Sequence, residues 1–174
     1  LVRLDGKSGE LLGQWRLLDP RLSIRHLAWS LGGASDAPRL LGVGLQAEHD
    51  LAQARNEAPT LAVWDGKSLQ LPSRSALAGG YAGDIAPGPG GGFIVSGQKV
   101  NRGLLWHPDD PGQLHTMAEL RELCALAAWQ GKAGAGGVLI GSVRGVSRWH
   151  PSVPVAMLAW PQDMSPDNHW VVLG

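Results

Sequence analysis

The sequence is poor in several residue types, and each shortage excludes a class of protein. It has a single Cys, which excludes an internal disulfide and a cysteine-rich zinc site. Charged residues make up only 17% of the chain, and 15 Lys and Arg balance 15 Asp and Glu. That balance leaves no basic surface for nucleic acid or for an anionic membrane. No run of about eighteen apolar residues is present, so no segment is predicted to span a membrane.

The aromatic residues are unevenly distributed, with eight Trp but only one Tyr and one Phe. Because Trp is a rare residue, this excess indicates a structural position that recurs along the chain. Hydrophobic residues make up 44% of the sequence, which is enough to bury a core. The chain begins at Leu1 inside an apolar alternation, without a basic and then apolar export signal. We therefore expect it to have been cut from a longer protein.

Three of the Trp residues lie in nearly identical surroundings, with a short apolar run before the Trp and a polar residue and turn former after it. The copies are residues 61–66, 104–108 and 146–151, and residues 1–6 form a fourth copy with Leu4 in the Trp position. The successive spacings are 60, 42 and 43 residues. Such a pattern is typical of a strand that enters a hairpin.

A second motif repeats in step with the first. Its copies are residues 23–29, 81–87 and 123–129, with the opening of a fourth at 165–172, and their spacings are 58, 42 and 43 residues. An apolar run lies between the two motifs, and a weaker one follows each Trp. Each unit therefore contains four short strands and no substantial helix in about 43 residues. A period of roughly 40–50 residues with four strands is the signature of a β-propeller blade.

The sequence thus predicts an all-β propeller with about four blades, three of them complete, within a larger ring. With strands labelled A to D from the centre outward, the pieces are 1–20 (strands C and D), 21–78, 79–121, 122–164 and 165–174 (a closing strand A). The first complete unit carries an insertion at 47–59, which we expect to hold one or two helical turns on the loop face. Because the strand count leaves an unpaired edge, we also expect the isolated chain to self-associate.

The order of these motifs resembles that of a known bacterial family. Residues 23–27, Tyr81 and Gly83 before a Gly-rich turn, the strand with Cys124, and residues 167–169 follow each other as in an exported β-propeller family of unknown function. The chain resembles the C-terminal half of that family along its whole length. The resemblance implies a seven-bladed ring, related in fold to quinoprotein and YVTN-type propellers. It also implies a periplasmic location and genes near imelysin-like, iron-linked proteins, but no reaction.

Polar residues at equivalent positions of the innermost strands are the candidate binding site at the mouth of the channel. They are Arg25, His26, Asp84, Asp167, Asn168 and His169. Two imidazoles and a carboxylate suit a divalent first-row metal ion, so His26, Asp84 and His169 are the predicted metal ligands. The alternative is structural: these groups would hydrogen-bond backbone groups at the tops of the blades.

Two other motifs are interpreted as turns. The Asp-Gly-Lys-Ser copies at 5–8 and 65–68 lack the Gly that a phosphate-binding loop needs five residues before its Gly-Lys-Ser, so they are predicted to be hairpin turns. His107 and His150 each follow a blade Trp and precede a Pro, which also indicates a turn.

The remaining candidates are interpreted as core or solvent-facing residues. The Trp residues of the first motif are predicted to pack between blades, with each indole N–H paired. Cys124 lies in an apolar strand and is interpreted as a small hydrophobic residue rather than a nucleophile. His49, within the insertion, is interpreted as a solvated loop residue.

Three classes of function remain open on these grounds. The first is a periplasmic binding scaffold, linked to iron acquisition, whose channel mouth or loop face binds a protein partner or a small metal-bearing ligand. The second is a metal-dependent hydrolase or oxidoreductase that uses the same polar residues. The third is a purely structural interaction module. A chain that holds no metal ion, and whose ligand or partner binding is unchanged in a His26→Ala, His169→Ala double variant, would exclude the enzyme.

Overall fold

The computed structural model describes residues 1–31, 39–72, 78–131, 134–159 and 167–170, without the side chains of 130–136. This part of the chain contains fourteen strands and one α-helix. In chain order they are β1 (Val2–Leu4), β2 (Leu11–Gln14), β3 (Leu22–Trp29), β4 (Leu41–Ala47), α1 (Ala52–Glu57), β5 (Leu61–Trp64), β6 (Leu69–Gln70), β7 (Ile85–Pro87), β8 (Phe93–Gly97), β9 (Arg102–Trp106), β10 (His115–Glu119), β11 (Leu126–Gly131), β12 (Gly134–Ser142), β13 (Gly145–His150) and β14 (Val153–Met157).

The strands form three four-stranded sheets and one two-stranded sheet, all with antiparallel pairing between strands that follow each other in sequence. The orders are β3-β4-β5-β6, β7-β8-β9-β10, β11-β12-β13-β14 and β1-β2. The first strands of the complete sheets lie side by side, since β7 contacts both β3 and β11. These are the blades that the 43-residue period predicts, so the all-β propeller prediction is confirmed. The number of blades in a closed ring stays a prediction.

The sheets are stabilised by apolar side chains that alternate between their two faces and pack against the next sheet. Phe93 and Leu104 are fully buried between the first two complete sheets. Gly42 permits this packing because a Cβ at position 42 would lie 2.7 Å from Cδ1 of Phe93 and 2.8 Å from Cδ1 of Ile85. Glycine in β4 is therefore required where the ring of the neighbouring blade approaches the backbone.

The Trp of the first motif is buried in every complete sheet, as predicted. Trp106 donates its indole N–H to the carbonyl of Pro111 at 3.0 Å. The prediction that every indole N–H has a partner is wrong for Trp64, whose Nε1 is buried without a hydrogen bond among the described residues. Trp64 instead makes edge-to-face contacts with Trp15, at 4.9 Å between ring centroids, and with Trp29, at 6.1 Å.

The two-stranded sheet packs against the first complete sheet through Trp15. Its indole N–H donates to the carbonyl of Lys67 at 2.8 Å. In the described part of the chain β1 pairs with β2 alone, so its other edge carries no strand. Leu4, the counterpart of the blade Trp residues, is consequently 56% exposed.

Both Asp-Gly-Lys-Ser copies form the same hairpin turn. The Asp5 carboxylate accepts hydrogen bonds from the backbone N–H groups of Lys7 and Ser8, at 2.9 and 2.7 Å. The Asp65 carboxylate accepts the equivalent bonds from Lys67 and Ser68, at 2.8 and 2.7 Å. The carboxylate thus closes the turn by capping the N–H groups that follow it, as expected for an Asp at this position.

The insertion between the second and third strands of the first complete sheet contains α1, which agrees with the predicted helical turns. The interpretation of His49 as solvated is wrong, because His49 is only 7% exposed. Its Nε2 lies 2.8 Å from Oδ2 of Asp19. Hydrogen bonds from Arg21 and from His49 lower the pKa of Asp19 to about 2. The contact between His49 and Asp19 therefore joins the inserted loop to the segment that precedes β3.

The closing strand predicted at 165–174 is only partly within the described residues. Residues 167–170 are described and have no strand pairing, and the rest of that range lies outside the description. Among the described residues no helix has the length and apolar character needed to cross a membrane.

Candidate metal centre

His26 lies on β3 next to an irregularity in the strand pairing. Ile24 pairs with Leu45 and His26 pairs with Gly44, so Arg25 is an extra residue without a partner on β4. This is a β-bulge, which re-aims side chains and is common beside functional sites. The His26 ring is half-buried and Arg25 is exposed.

Asp84 lies immediately before β7 and is 8% exposed. Its Oδ1 accepts a hydrogen bond from the N–H of Ile85 at 2.8 Å, and its Oδ2 accepts one from the N–H of Leu126 at 2.9 Å. The carboxylate therefore joins the second complete sheet to the third, which is the backbone role that the structural alternative assigns to it. Each carboxylate oxygen has a further lone pair, so Asp84 can also accept a proton or bind an ion.

His169 reaches the same place from the short segment 167–170. The ring of Trp170 packs directly on the backbone of β12 at Gly141. A Cβ added at Gly141 would lie only 2.9 Å from Cζ2 of that ring. A weak contact also joins Sγ of Cys124 to the carbonyl of Asn168 at 3.9 Å. The side chain of His169 is 60% exposed, which leaves it the most accessible of the three predicted ligands.

The three predicted ligands come together in the folded chain, although 143 positions separate His26 from His169. Their ligand atoms all lie within 4.8 Å of one another. The imidazole rings of His26 and His169 are 4.8 Å apart between centroids, and Nδ1 of His169 is 3.8 Å from Oδ1 of Asp84. His26 comes from the first complete sheet, Asp84 from the residue before the second complete sheet, and His169 from the segment after the third.

The donor set fits a divalent first-row transition ion. Nitrogen and oxygen ligands bind such an ion at about 2.0–2.2 Å, so neighbouring ligand atoms in a tetrahedral site are roughly 3.4 Å apart. The present cluster is wider than that, so the ligand atoms would have to move closer together around a bound ion. Two imidazoles and one carboxylate would leave at least one coordination position open to an exogenous ligand.

Burial governs the protonation of the cluster. Burial lowers the pKa of His26 most. The charge of Asp84 raises that pKa, and the charges of His169 and Arg25 lower it further. Burial also raises the pKa of Asp84, against the backbone hydrogen bonds of Leu126 and Ile85 and the charges of the two His residues. His26 is therefore neutral at pH 7, the form in which imidazole binds metal.

The other three predicted site residues do not join the cluster of ligand atoms. Arg25 lies next to His26 in the bulge and is exposed. Asp167 and Asn168 are exposed as well, and Oδ1 of Asp167 accepts a hydrogen bond from the backbone N–H of Asn168 at 2.6 Å. The binding role of all six residues stays a prediction.

Ser96 and Cys124 pack closely against Gly83, the residue before Asp84, and no sequence motif signals this contact. A Cβ at Gly83 would lie 3.0 Å from Oγ of Ser96 and 3.3 Å from Sγ of Cys124. The Ser96 hydroxyl is fully buried and has no hydrogen-bond partner among the described residues. Burial, followed by the charges of Asp84 and Asp167, raises the pKa of Cys124, so the thiol is protonated at neutral pH. This agrees with its interpretation as a small buried residue rather than a nucleophile.

These features define a class of protein: an all-β propeller with polar residues clustered where its innermost strands meet. Residues 1–173 match the family described as Protein of unknown function (DUF1513), and the chain therefore belongs to that family. No curated protein and no solved structure matches the chain.

Proposed function

We propose that this protein is a binding propeller whose channel mouth holds a divalent first-row transition-metal ion through His26, Asp84 and His169. The observation that carries the proposal is the convergence of three metal-binding groups from distant parts of the chain, within 4.8 Å of one another. A bound cation would neutralise the buried Asp84 carboxylate and bring the three groups together at one ion.

The proposed ion also suits the chemistry of the individual residues. His26 is neutral at pH 7 because burial lowers its pKa, so it needs no deprotonation to bind metal. Asp84 is held in place by the N–H groups of Ile85 and Leu126, which would orient its carboxylate for a metal in the way that outer hydrogen bonds orient metal ligands elsewhere. His169 supplies a ligand that is accessible from solvent.

Calorimetric titration of the purified chain with Co²⁺ and Zn²⁺ tests the proposal. We expect one ion to bind per chain, with a loss of at least roughly 100-fold in affinity when His26 and His169 are both changed to Ala, since each ligand contributes substantially to a site of three. His115→Ala is the matched control, because His115 is an exposed His that pairs with Asp110 at 2.8 Å, away from the channel mouth.

Two outcomes would contradict the proposal. The first is the absence of a bound ion in the wild-type chain at micromolar metal. The second is equal binding by the His26→Ala, His169→Ala double variant, with circular dichroism showing that both proteins are folded.

The cellular setting is proposed from the family resemblance. An exported family encoded near iron-linked proteins supports a periplasmic binding scaffold that works beside an iron-acquisition system. Fractionation of the native host, with an antibody against this chain, tests the compartment. Recovery of the protein in the cytoplasmic fraction alone would contradict it.

The open coordination position supports a second candidate function, a metal-dependent hydrolase or oxidoreductase. Three protein ligands with an accessible fourth position are the usual arrangement of catalytic zinc, and two His with one carboxylate occur in non-haem iron oxygenases. Turnover of chromogenic esters by the Zn²⁺-loaded chain, or O₂ consumption by the Fe²⁺-loaded chain, would favour this candidate if His169→Ala abolishes it.

A further inference from the structure

The bulge in β3 reverses the faces of the sheet to which its side chains point. Leu22, before the bulge, packs with Leu41 and Trp64 in the apolar cluster that also includes Trp15. Ala28, after the bulge, packs in the opposite cluster, which includes residues of the second complete sheet. Two residues an even number of positions apart would share a face in a regular strand. They occupy opposite faces here because Arg25 is the extra residue.

The reversal places Arg25 and His26 on the same face of the sheet. Ile24 is paired with Leu45, which belongs to the same cluster as Leu22, so Ile24 lies on that face and the next residue, Arg25, lies on the other. His26 points that way too, since a Cβ at its partner Gly44 would lie 3.5 Å from Cβ of His26 and 3.3 Å from Cβ of Ala82. That face looks toward the segment that carries Asp84.

Within the part of the chain that the structure describes, the Arg25 guanidinium has no partner of opposite charge. It is exposed, and none of the ion pairs found among the described residues includes it. Three other Arg residues in the described part of the chain make ion pairs with neighbouring carboxylates: Arg21 with Asp19 at 3.1 Å, Arg102 with Glu119 at 3.4 Å and Arg121 with Glu122 at 3.6 Å. An unpaired guanidinium beside a metal centre is available to an anion, and its planar fork matches a carboxylate.

The charges of the occupied site would also favour an anion. A divalent ion with one carboxylate ligand, Asp84, keeps one positive charge, and Arg25 adds a second. Asp167, exposed on the segment of His169, offsets one of these and has its Oδ1 engaged by the N–H of Asn168. The site thus remains positive with an open coordination position.

We propose that the metal ion binds a small carboxylate ligand at its open position, and that Arg25 fixes the free carboxylate oxygens of that ligand. This inference rests on the proposed metal site. It names the class of compound that the propeller would bind: a metal chelate of a di- or polycarboxylate. The carboxylate would coordinate through one group and accept a bidentate hydrogen bond from Arg25 through another.

Titration of the Co²⁺-loaded chain with oxalate, followed by the visible absorption of the cobalt, tests the proposal. We expect oxalate to join the bound ion and to bind roughly 10- to 100-fold more weakly to Arg25→Ala, since it loses hydrogen bonds to a charged group. Arg25→Lys keeps the charge but not the fork and should be intermediate. Arg21→Ala, which removes a paired Arg at the start of β3, is the control and should bind oxalate like the wild type.

The remaining outcomes distinguish failure of the carboxylate proposal from failure of the metal site. Equal oxalate affinity in wild type and Arg25→Ala would overturn the proposal, as would removal of the cobalt by oxalate without a ternary complex. In both cases the metal site itself stands. Failure of the wild-type chain to bind Co²⁺ at all would overturn the proposed function, and this inference with it.

Discussion

The strand that ends in the repeated Trp position has two different environments in this molecule. In the complete sheets this residue is buried, with exposures of 5% for Trp64, 4% for Trp106 and 8% for Trp149. In the two-stranded sheet the equivalent residue, Leu4, is 56% exposed. The strands β5, β9 and β13 each lie between two others, whereas β1 pairs with β2 alone among the described residues.

The comparison separates local from non-local effects. The Asp-Gly-Lys-Ser turn that follows β1 has the same hydrogen bonds as the turn that follows β5. The motif thus determines the hairpin in both places. Burial of the apolar residue before the turn depends on a strand and a neighbouring sheet that the motif does not encode.

The largest expected effect comes from truncating the repeated position in the two environments. Trp106→Ala should destabilise the chain by about 3–5 kcal/mol, because it leaves a cavity between two sheets. Leu4→Ala should change stability by less than about 0.5 kcal/mol, because Leu4 is mostly in solvent. Urea unfolding measures both. Similar losses at the two positions would mean that β1 is covered in solution, for instance by self-association.

The next effect concerns the links between sheets. Asp84→Ala should cost about 2–4 kcal/mol, since it leaves the N–H groups of Ile85 and Leu126 without partners in a buried place. Trp15→Phe, which removes the hydrogen bond between the two-stranded sheet and Lys67, should cost about 1 kcal/mol or less. Denaturant unfolding of both variants checks the order. A larger cost at Trp15 would reverse the comparison.

A smaller effect is expected from the glycines that allow close packing. Gly42→Ala should cost about 1–3 kcal/mol, because the new Cβ would press on the buried ring of Phe93. Gly13→Ala should cost less, because its Cβ would meet the side chain of Trp15, which is partly exposed and can move. Thermal unfolding of the two variants gives the ranking, and equal shifts in melting temperature would count against it.

The smallest effect should be the same in both environments. Hydrogen bonds from backbone N–H groups lower the pKa of Asp5 and of Asp65. A lowered folded-state pKa contributes stability that is present above about pH 3.8 and is lost as the pH falls through the folded-state value. Asp5→Asn and Asp65→Asn should therefore be less stable than the wild type at pH 7 and match it near pH 2. Urea midpoints at the two pH values test this, and a marked difference between the two variants would show that the turns are not equivalent.

Much of the fold is predictable from the sequence because it repeats. Two motifs with matching intervals are enough to indicate the four strands of each blade. His26, Asp84 and His169 are also predictable as a set, because they occupy related places in successive units. Their distances and protonation are not, since these depend on burial and on how the sheets face each other.

Other features could not be predicted, for identifiable physical reasons. The adjacent polar residues Arg25 and His26 interrupt the alternation of β3, but the bulge and their common face are established only by the pairing with β4. His49 lies in a polar, Ala- and Glu-rich insertion that looks solvated, yet its contact with Asp19 buries it. The contact joins residues 30 positions apart and has no local signal.

The sequence by itself determined the elements that depend on near neighbours: the strand period, the Asx-type turns and the short helix of the insertion. Each follows from propensities and hydrogen bonds within a few residues. Tertiary structure alone decided which copies of the motif are buried, that Arg25 lies on the same face as His26, and that His169 lies close to His26. Those outcomes depend on contacts between distant segments, whose free energy comes from packing rather than from any single stretch of the chain.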